Sequence, residues 1–438
     1  MINLLPRAYR GLPREAYVLF FARMVNSLGN FVRPLLTLLL TDRLGMSQAQ
    51  AGFFVTLASL TYMPGALLSG RLADHFGRKK VFFWSWVLAV VTLVPCAFLG
   101  VSPAVVWLLI LNAFFSGAGW PVLTAMVTDL TNRENRARVF SLLYLGNNVG
   151  FAIGPALAGL LYRRHLPWVY LGDGATTLLA LLLVGLFVKE TLPDREAIGE
   201  SQEGSPGETA EEGGTLHALL RRPAVIVFSV ALIFYNFVYV QHAFSLPLQM
   251  RQSFGADGPR LFGFMMSVNA LTVVALTSLV TRITARFSDI TNTGLGGVMY
   301  AVGFGMILFL RQVPGFVVST VVWTIGEILV VTNSKAYISN HTPITHRGRF
   351  AAVTDIISGA GFSLGPLLMG QLIVRTGLSL VWGLSFGLAL VGTLLLAGLD
   401  AVTRKTRGAS PLPINPRRHF LARLQESGRV GSIILKGF

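Results

Sequence analysis

Charge is scarce in this chain. Only 13% of its 438 residues are Asp, Glu, Lys or Arg, against roughly 25% in an ordinary soluble protein. Acid is scarcer than base, with 20 acidic residues to 36 basic ones. Eight of those acids, from Glu190 to Glu212, crowd into residues 190–214. Cysteine is nearly absent. The lone Cys96 lies in an apolar run, cannot form an intrachain disulfide and reads as a small core residue. Residues 1–15 are polar and lead straight into a long apolar run, so no cleavable signal peptide is expected. No metal-ligand cluster, nucleotide-binding loop or nucleophile elbow is visible. The glycines at 150–154 and 361–365 lie inside apolar runs and cannot cradle phosphate. An enzyme is therefore not expected, nor is a cofactor or a metal.

Apolar residues make up 53% of the chain, and mean hydropathy is +0.62. Runs of about 20 apolar residues are what a bilayer crossing requires. They fall near 16–40, 49–72, 81–100, 103–129, 138–162, 166–188, 223–249, 260–282, 291–311, 314–338, 350–374 and 378–400. The expected fold class is an all-α polytopic membrane protein with twelve transmembrane helices.

The formal charge of +16 would suggest nucleic acid in a soluble protein. Here the basic residues sit between apolar runs, and membrane topology accounts for them without a nucleic-acid partner. Arg7, Arg10 and Arg14 precede the first run, and alternate loops carry Arg78, Lys79 and Lys80; Arg133, Arg136 and Arg138; Lys189, Arg195, Arg221 and Arg222; Arg282 and Arg286; Arg347 and Arg349. The other loops hold only Arg43, Arg163, Arg164, Arg251, Arg260, Arg311 and Arg375. The positive-inside rule then places both termini in the cytoplasm.

Residues 190–214 are acidic and rich in Gly, Ser and Pro, which reads as a flexible cytoplasmic linker. The expected organisation is a six-helix bundle over 1–189, a linker over 190–222, a second six-helix bundle over 223–402 and a basic tail over 403–438. The tail reads equally as disordered or as resting on anionic lipid through Phe420, Leu421 and Leu424. The halves also repeat. Residues 136–159, RARVFSLLYLGNNVGFAIGPALAG, align without a gap to 347–370, RGRFAAVTDIISGAGFSLGPLLMG. Gly154-Pro155 matches Gly365-Pro366, and both copies enter an apolar helix from a basic loop. Small residues let helices approach closely, and Gly-Pro bends a helix in mid-membrane.

Few acids remain inside the apolar runs: Asp129, Asp173, Glu327 and Asp355, with Asp74 at a helix end. An ionisable group at bilayer depth costs about 2.5–3.5 kcal/mol on insertion scales and marks a pathway or a proton relay. Glu327, mid-run in Trp323-Thr324-Ile325-Gly326-Glu327-Ile328, is the leading candidate. Its exposure could alternate, or it could pair with a cationic substrate. The plain alternative is a buried acid hydrogen-bonded to a neighbour. Asp129 could cap a helix, pair with Arg78 or Arg136, or gate through such a pair. Asp355 could pair with Lys335, and Asp173 could be solvated. Arg33, beside Pro34, has snorkelling as a sufficient explanation, and Arg23 lies deeper. Tyr235, Asn236, Tyr239, Gln241 and His242 could line a substrate cavity with aromatic faces and hydrogen bonds. They read as well as interfacial tyrosines beside a satisfied histidine.

The hairpin Gly70-Arg71-Leu72-Ala73-Asp74-His75-Phe76-Gly77-Arg78-Lys79-Lys80 joins the second and third runs. It resembles the loop between helices 2 and 3 of the major facilitator superfamily of secondary transporters. Parallel repeats of six helices are the general plan of that superfamily. The resemblance implies alternating access, with Gly70, Asp74, Gly77 and Arg78 stabilising the state closed to the cytoplasm. Gly154, Pro155, Gly365 and Pro366 would serve the conformational change.

Two further segments, Asp129-x-x-Asn132-x-Glu134-Asn135-Arg136 and Thr324-x-Gly326-Glu327-Ile328, resemble bacterial proton-coupled multidrug antiporters. That likeness implies proton coupling at Asp129 and Glu327 and cationic-drug handling at Glu327. The chain departs from that family at Leu143 and Ala243, where the family member has acids, and lacks an arginine in helix 4. Fewer acids imply fewer protons per cycle or a less cationic substrate. The expected partners are a small-molecule substrate, protons and membrane lipids, for a monomer in a bacterial inner membrane. The expected activity is efflux of amphipathic compounds, with nutrient symport or facilitation as the alternative and a non-transporting sensor or lipid-handling scaffold as a third.

Overall fold

The computed structural model describes residues 9, 11–131, 135–192, 222–341 and 347–408. Most of the expected linker and almost all of the tail, with Phe420, Leu421 and Leu424, lie outside the described residues. Among those described, the secondary structure is helical throughout.

In the first half, α1 (Arg14–Leu28) and α2 (Val32–Leu38) are followed by a π-helical turn, Leu39–Arg43. Then come α3 (Gln48–Phe76), α4 (Arg78–Phe98), α5 (Pro103–Gly117), α6 (Gly119–Asp129), α7 (Arg136–Arg164) and α8 (Leu166–Phe187). The second half holds α9 (Pro223–Tyr239), α10 (Ser245–Phe254), α11 (Gly258–Thr284), α12 (Asp289–Gly305), α13 (Val313–Asn340), α14 (Arg347–Thr376) and α15 (Leu378–Gly408). Among the described residues, ten stretches are long and apolar enough to cross a membrane. One of them, Pro223–Thr284, contains α9, α10 and α11. Residues 14–43 are not among the ten, because the chain breaks there at Gly29-Asn30-Phe31.

Local chemistry sets the helix ends. Ser47 accepts the backbone N–H of Gln50 while the Gln50 side chain returns to Ser47, a capping box that starts α3. Pro103 and Ser102 start α5 in the same spirit. The outer surface is apolar, with Leu67, Phe98, Leu186, Phe309 and Leu394 exposed as a lipid-facing surface requires. Cys96 is buried.

Glycine and proline bring the two halves together. A Cβ on Gly263 of α11 would lie 2.2 Å from the carbonyl oxygen of Pro155 in α7, and one on Gly52 of α3 would lie 2.2 Å from that of Pro366 in α14. Gly159 likewise abuts the Pro259 carbonyl at 2.5 Å, and Gly370 abuts that of Gln48 at 2.4 Å. Every residue in one crossing stands 211 positions from its counterpart in the other, the same offset as the sequence repeat. α7 and α14 each run through their internal proline without ending.

Candidate functional site

The two halves meet on the face opposite the termini. There Arg251 of α10 places Nη2 at 2.8 Å and Nε at 3.0 Å from Asp42 Oδ1. Tyr162 donates its hydroxyl to the Leu38 carbonyl at 2.8 Å and to Asp42 Oδ2 at 3.2 Å. Arg43 donates to the Tyr162 carbonyl and lies over the same ring. Deeper in, Thr37 donates to the Ala243 carbonyl at 3.2 Å and Thr56 to that of Ser363 at 2.9 Å. With the glycine crossings, these contacts close that face.

Beneath the closure lies a cavity of about 440 Å³, within the size range of small-molecule sites. It opens mainly within the first half. Val240, Ala243, Phe244 and Phe362 supply the wall from the second. Two arginines and one acid line it: Arg23, Arg33 and Asp173. Arg33 is exposed and turns into this space, with its guanidinium 5.6 Å from the centre of the Tyr62 ring, so snorkelling is not needed to explain it. Arg23 is half-buried and within electrostatic reach of Arg33.

Asp173 has structural work. Its Oδ2 accepts the backbone N–H groups of Phe31 at 3.2 Å and Val32 at 3.1 Å. Those donors begin α2, where N–H groups lack intrahelical partners; Phe31 also reaches the Gly29 carbonyl at 2.7 Å. The chain can break here because Gly29 packs on α8, where a Cβ would meet Thr176 Oγ1 at 1.5 Å. The break sets the direction of α2 and so carries Arg33 into the cavity.

Glu327 sits apart from that cavity lining, on α13. Asn269 of α11 donates to its Oε2 at 2.8 Å and to Thr324 Oγ1 at 3.0 Å, and the Tyr239 hydroxyl bonds the same carboxyl. Aromatic rings enclose it. Tyr239 stacks on Tyr300 at 5.7 Å, and Trp323 packs against Tyr239 at 6.1 Å. Tyr144 reaches electrostatically to Glu327 from α7 in the other half. Among the described residues no ion pair joins Glu327 to a base.

The other residues expected around a substrate are spent on neighbours. Tyr235 is buried with its hydroxyl 3.1 Å from Thr393 Oγ1, and Asn236 donates to the Ser358 carbonyl at 2.9 Å. Gln241 donates to the Phe237 carbonyl at 2.9 Å and accepts from Ser245 at 2.6 Å. His242 is bonded to the Tyr239 carbonyl at 2.5 Å and stacks on Trp323 at 5.7 Å. Of this group, only Tyr239 bonds to Glu327.

On the face bearing the termini, Arg78 of α4 pairs with Asp129 of α6 and, at 3.1 Å, with the exposed Asp74. Glu190 Oε1 accepts the backbone N–H of Arg78 at 2.8 Å and of Lys79 at 3.2 Å, so it caps α4. Burial disfavours its charge. The N–H groups of Lys79, Leu192, Thr191 and Arg78 outweigh that and hold the carboxyl below the ordinary glutamate value. Gly77 has φ +103°, and its missing side chain leaves room for this carboxylate: a Cβ would stand 2.5 Å from Glu190 Oε2. Gly70 and Gly359 have open space beside them. Gly154 packs on the Leu28 carbonyl and Gly365 on Val240. Asp355 lies within electrostatic reach of Lys335.

The family model for the Major Facilitator Superfamily matches residues 19–354 and 259–429. An uncharacterised transporter of this type from Bacillus subtilis, YttB, is 24% identical over 371 residues, spanning 84% of this chain and 90% of that protein. A Na(+), Li(+), K(+)/H(+) antiporter from Planococcus maritimus is 22% identical over 360 residues, spanning 77% of this chain and 84% of its own. A crystallised mutant of the peptide transporter POT superimposes with a TM-score of 0.76 at 18% identity, covering 92% of this chain and 97% of that one. At that identity the likeness is one of fold.

Proposed function

The chain belongs to the Major Facilitator Superfamily, and from that premise we propose that it exports amphipathic small molecules in exchange for protons, by alternating access, from a bacterial inner membrane. Two six-helix halves, 1–189 and 223–402, rock about the cavity. The face opposite the termini is shut by Asp42 and Arg251, so the cavity is presented toward the face bearing the termini. Opening that gate and joining the halves near Gly70 and Asp74 would present the cavity to the other side.

One observation carries the coupling: a carboxyl group at mid-helix in α13, hydrogen-bonded to Asn269 and Tyr239 and surrounded by aromatic rings. An amide and a phenol can serve either protonation state, since each offers both a donor and an acceptor. Tyr144 belongs to the opposite half, so rocking changes the surroundings of Glu327 and with them its hold on a proton. Asp129, paired with Arg78, reads as a latch within the first half, whose release would accompany proton uptake.

Proteoliposomes loaded with a pH dye test the exchange. With no imposed gradient, adding a transported compound outside alkalinises the lumen as protons leave. Glu327→Gln folds and gives no response. Lumen acidification would instead mark a symporter for a nutrient. That second reading is favoured by the two arginines in the cavity, since organic acids and peptides carry carboxylates. Unchanged pH-driven flux in Glu327→Gln rejects the assignment of that residue.

A further inference from the structure

We propose that the cavity in the first half is an anion subsite, in which Arg23 and Arg33 hold the carboxylate, phosphonate or sulfonate end of an amphipathic substrate. The inference rests on the transport reading above and names its substrate class. The likeness to multidrug antiporters implied a cationic ligand at Glu327. The cavity has the opposite character.

Charge makes the first case. Two guanidinium groups line the cavity, Arg23 and Arg33, against a single acid, Asp173. Asp173 is already committed, through Oδ2, to the backbone at Phe31 and Val32. Glu327 is outside the lining and bonded to Asn269. A cation entering here meets Arg23 and Arg33 with no acid free of other duties. An anion relieves the repulsion between two like charges that share one low-dielectric chamber.

Geometry makes the second. Guanidinium groups offer planar, paired donors that match the oxygens of carboxylates and phosphonates. Arg33 is accessible from the cavity and steadied over the face of Tyr62. Its placement depends on the break between α1 and α2, which Asp173 and Gly29 hold in place. Leu36, Val55, Leu93, Leu109 and Phe244 supply apolar wall beside polar groups such as Asn112 and Asn147. A charged head and an apolar body of modest size fit such a space.

The test uses the purified full chain and thermal unfolding in the presence of aromatic compounds whose head groups differ in charge. The probes are 1-naphthaleneacetate, its methyl ester and 1-naphthylmethylammonium, with phenylphosphonate as a second anion. A ligand that binds only the folded state raises the midpoint. The two anions are expected to raise it, and the ester and the ammonium compound are not. Arg33→Gln should weaken apparent anion affinity by about tenfold or more, as loss of a charged hydrogen bond does. Arg33→Lys should recover part of that. Arg404→Gln removes an equal charge at the pair with Asp400 in α15, outside the cavity lining, and should change nothing. Arg23→Gln is the stricter variant, and if it does not fold, Arg33→Gln decides. The proposal is overturned by no stabilisation from either anion, by equal binding of acid and ester, by preference for the ammonium, or by an unchanged affinity in Arg33→Gln. Anion binding with no solute flux leaves the subsite standing and removes the transport reading. Flux of the ammonium with no anion binding does the reverse.

Discussion

The Asp42–Arg251 pair joins the two halves where the cavity is shut, so removing it should open that face by a calculable amount. The side chains are 22% and 39% exposed, respectively, and both Arg251 contacts fall on one carboxylate oxygen. Exposed pairs contribute about 0.2–1 kcal/mol, and breaking a buried one costs about 3–5 kcal/mol. A pair this wet belongs near the top of the first range, at about 1 kcal/mol, which is about fivefold in the ratio of open to closed states. The lone Cys96 makes the measurement simple. In a Cys96→Ala background, Ser59→Cys places one thiol in the cavity lining. A membrane-impermeant thiol reagent applied from the face opposite the termini should label it about five times faster in Asp42→Asn than in the parent. Arg251→Gln should match that, and the double variant should add little, because both single changes break one interaction. Equal labelling in Asp42→Asn, or two effects that simply sum, would refute the gate.

Other expectations follow from named contacts. Gly52→Ala and Gly263→Ala each force a Cβ against a proline carbonyl in the opposite half. Overpacking of this kind costs about 1–3 kcal/mol, so each should speed the same labelling reaction. Asp173→Ala leaves the N–H group of Val32 without its acceptor, while that of Phe31 keeps the Gly29 carbonyl. The expected loss is about 1–3 kcal/mol, seen as a lower unfolding midpoint, while Asp173→Asn keeps an oxygen there and should lose less. Glu190 is held below its ordinary value when folded. Its contribution is therefore complete above the unfolded glutamate value and vanishes as pH falls through the lower folded one. Stability of the wild type should drop across that acid window, and Glu190→Gln should lack this part of the drop.

Much of the fold was legible because its signals are local. Apolar runs gave most of the helices, the Gly70–Lys80 hairpin gave the superfamily, and the repeat at 136–159 and 347–370 holds Gly159 and Gly370, which pack across the two halves. What escaped depends on partners far away in the chain. Asp42 and Arg251 are separated by 209 positions, and nothing near either residue points to the other. The break in the first run rests on Asp173, which lies 142 positions from Phe31. Tyr235 and Asn236 had the right chemistry for a cavity, but their polar atoms bond Thr393 and Ser358 on other helices, while Gln241 bonds locally to Phe237 and Ser245. A usable signal was present for the cavity. The cost of placing Glu327 at bilayer depth applies also to Arg23, Arg33, Asn112 and Asn147, and all four line it. Glu190 read as the first residue of an acidic linker, whereas its role as a cap comes from the helix start at Arg78.

The most direct measurement is the spacing of the two faces as a function of pH, read by electron spin resonance between paired labels. One pair, at His75 and Ala285, spans the face bearing the termini; the other, at Arg164 and Ala256, spans the closed face. Protonation at Glu327 should move the two distance distributions in opposite directions, and Glu327→Gln should hold both at their acid-side values across the whole range. Distances on both faces that ignore pH, or a Glu327→Gln protein that still responds as the parent does, would contradict a chamber whose access is set by that carboxyl group.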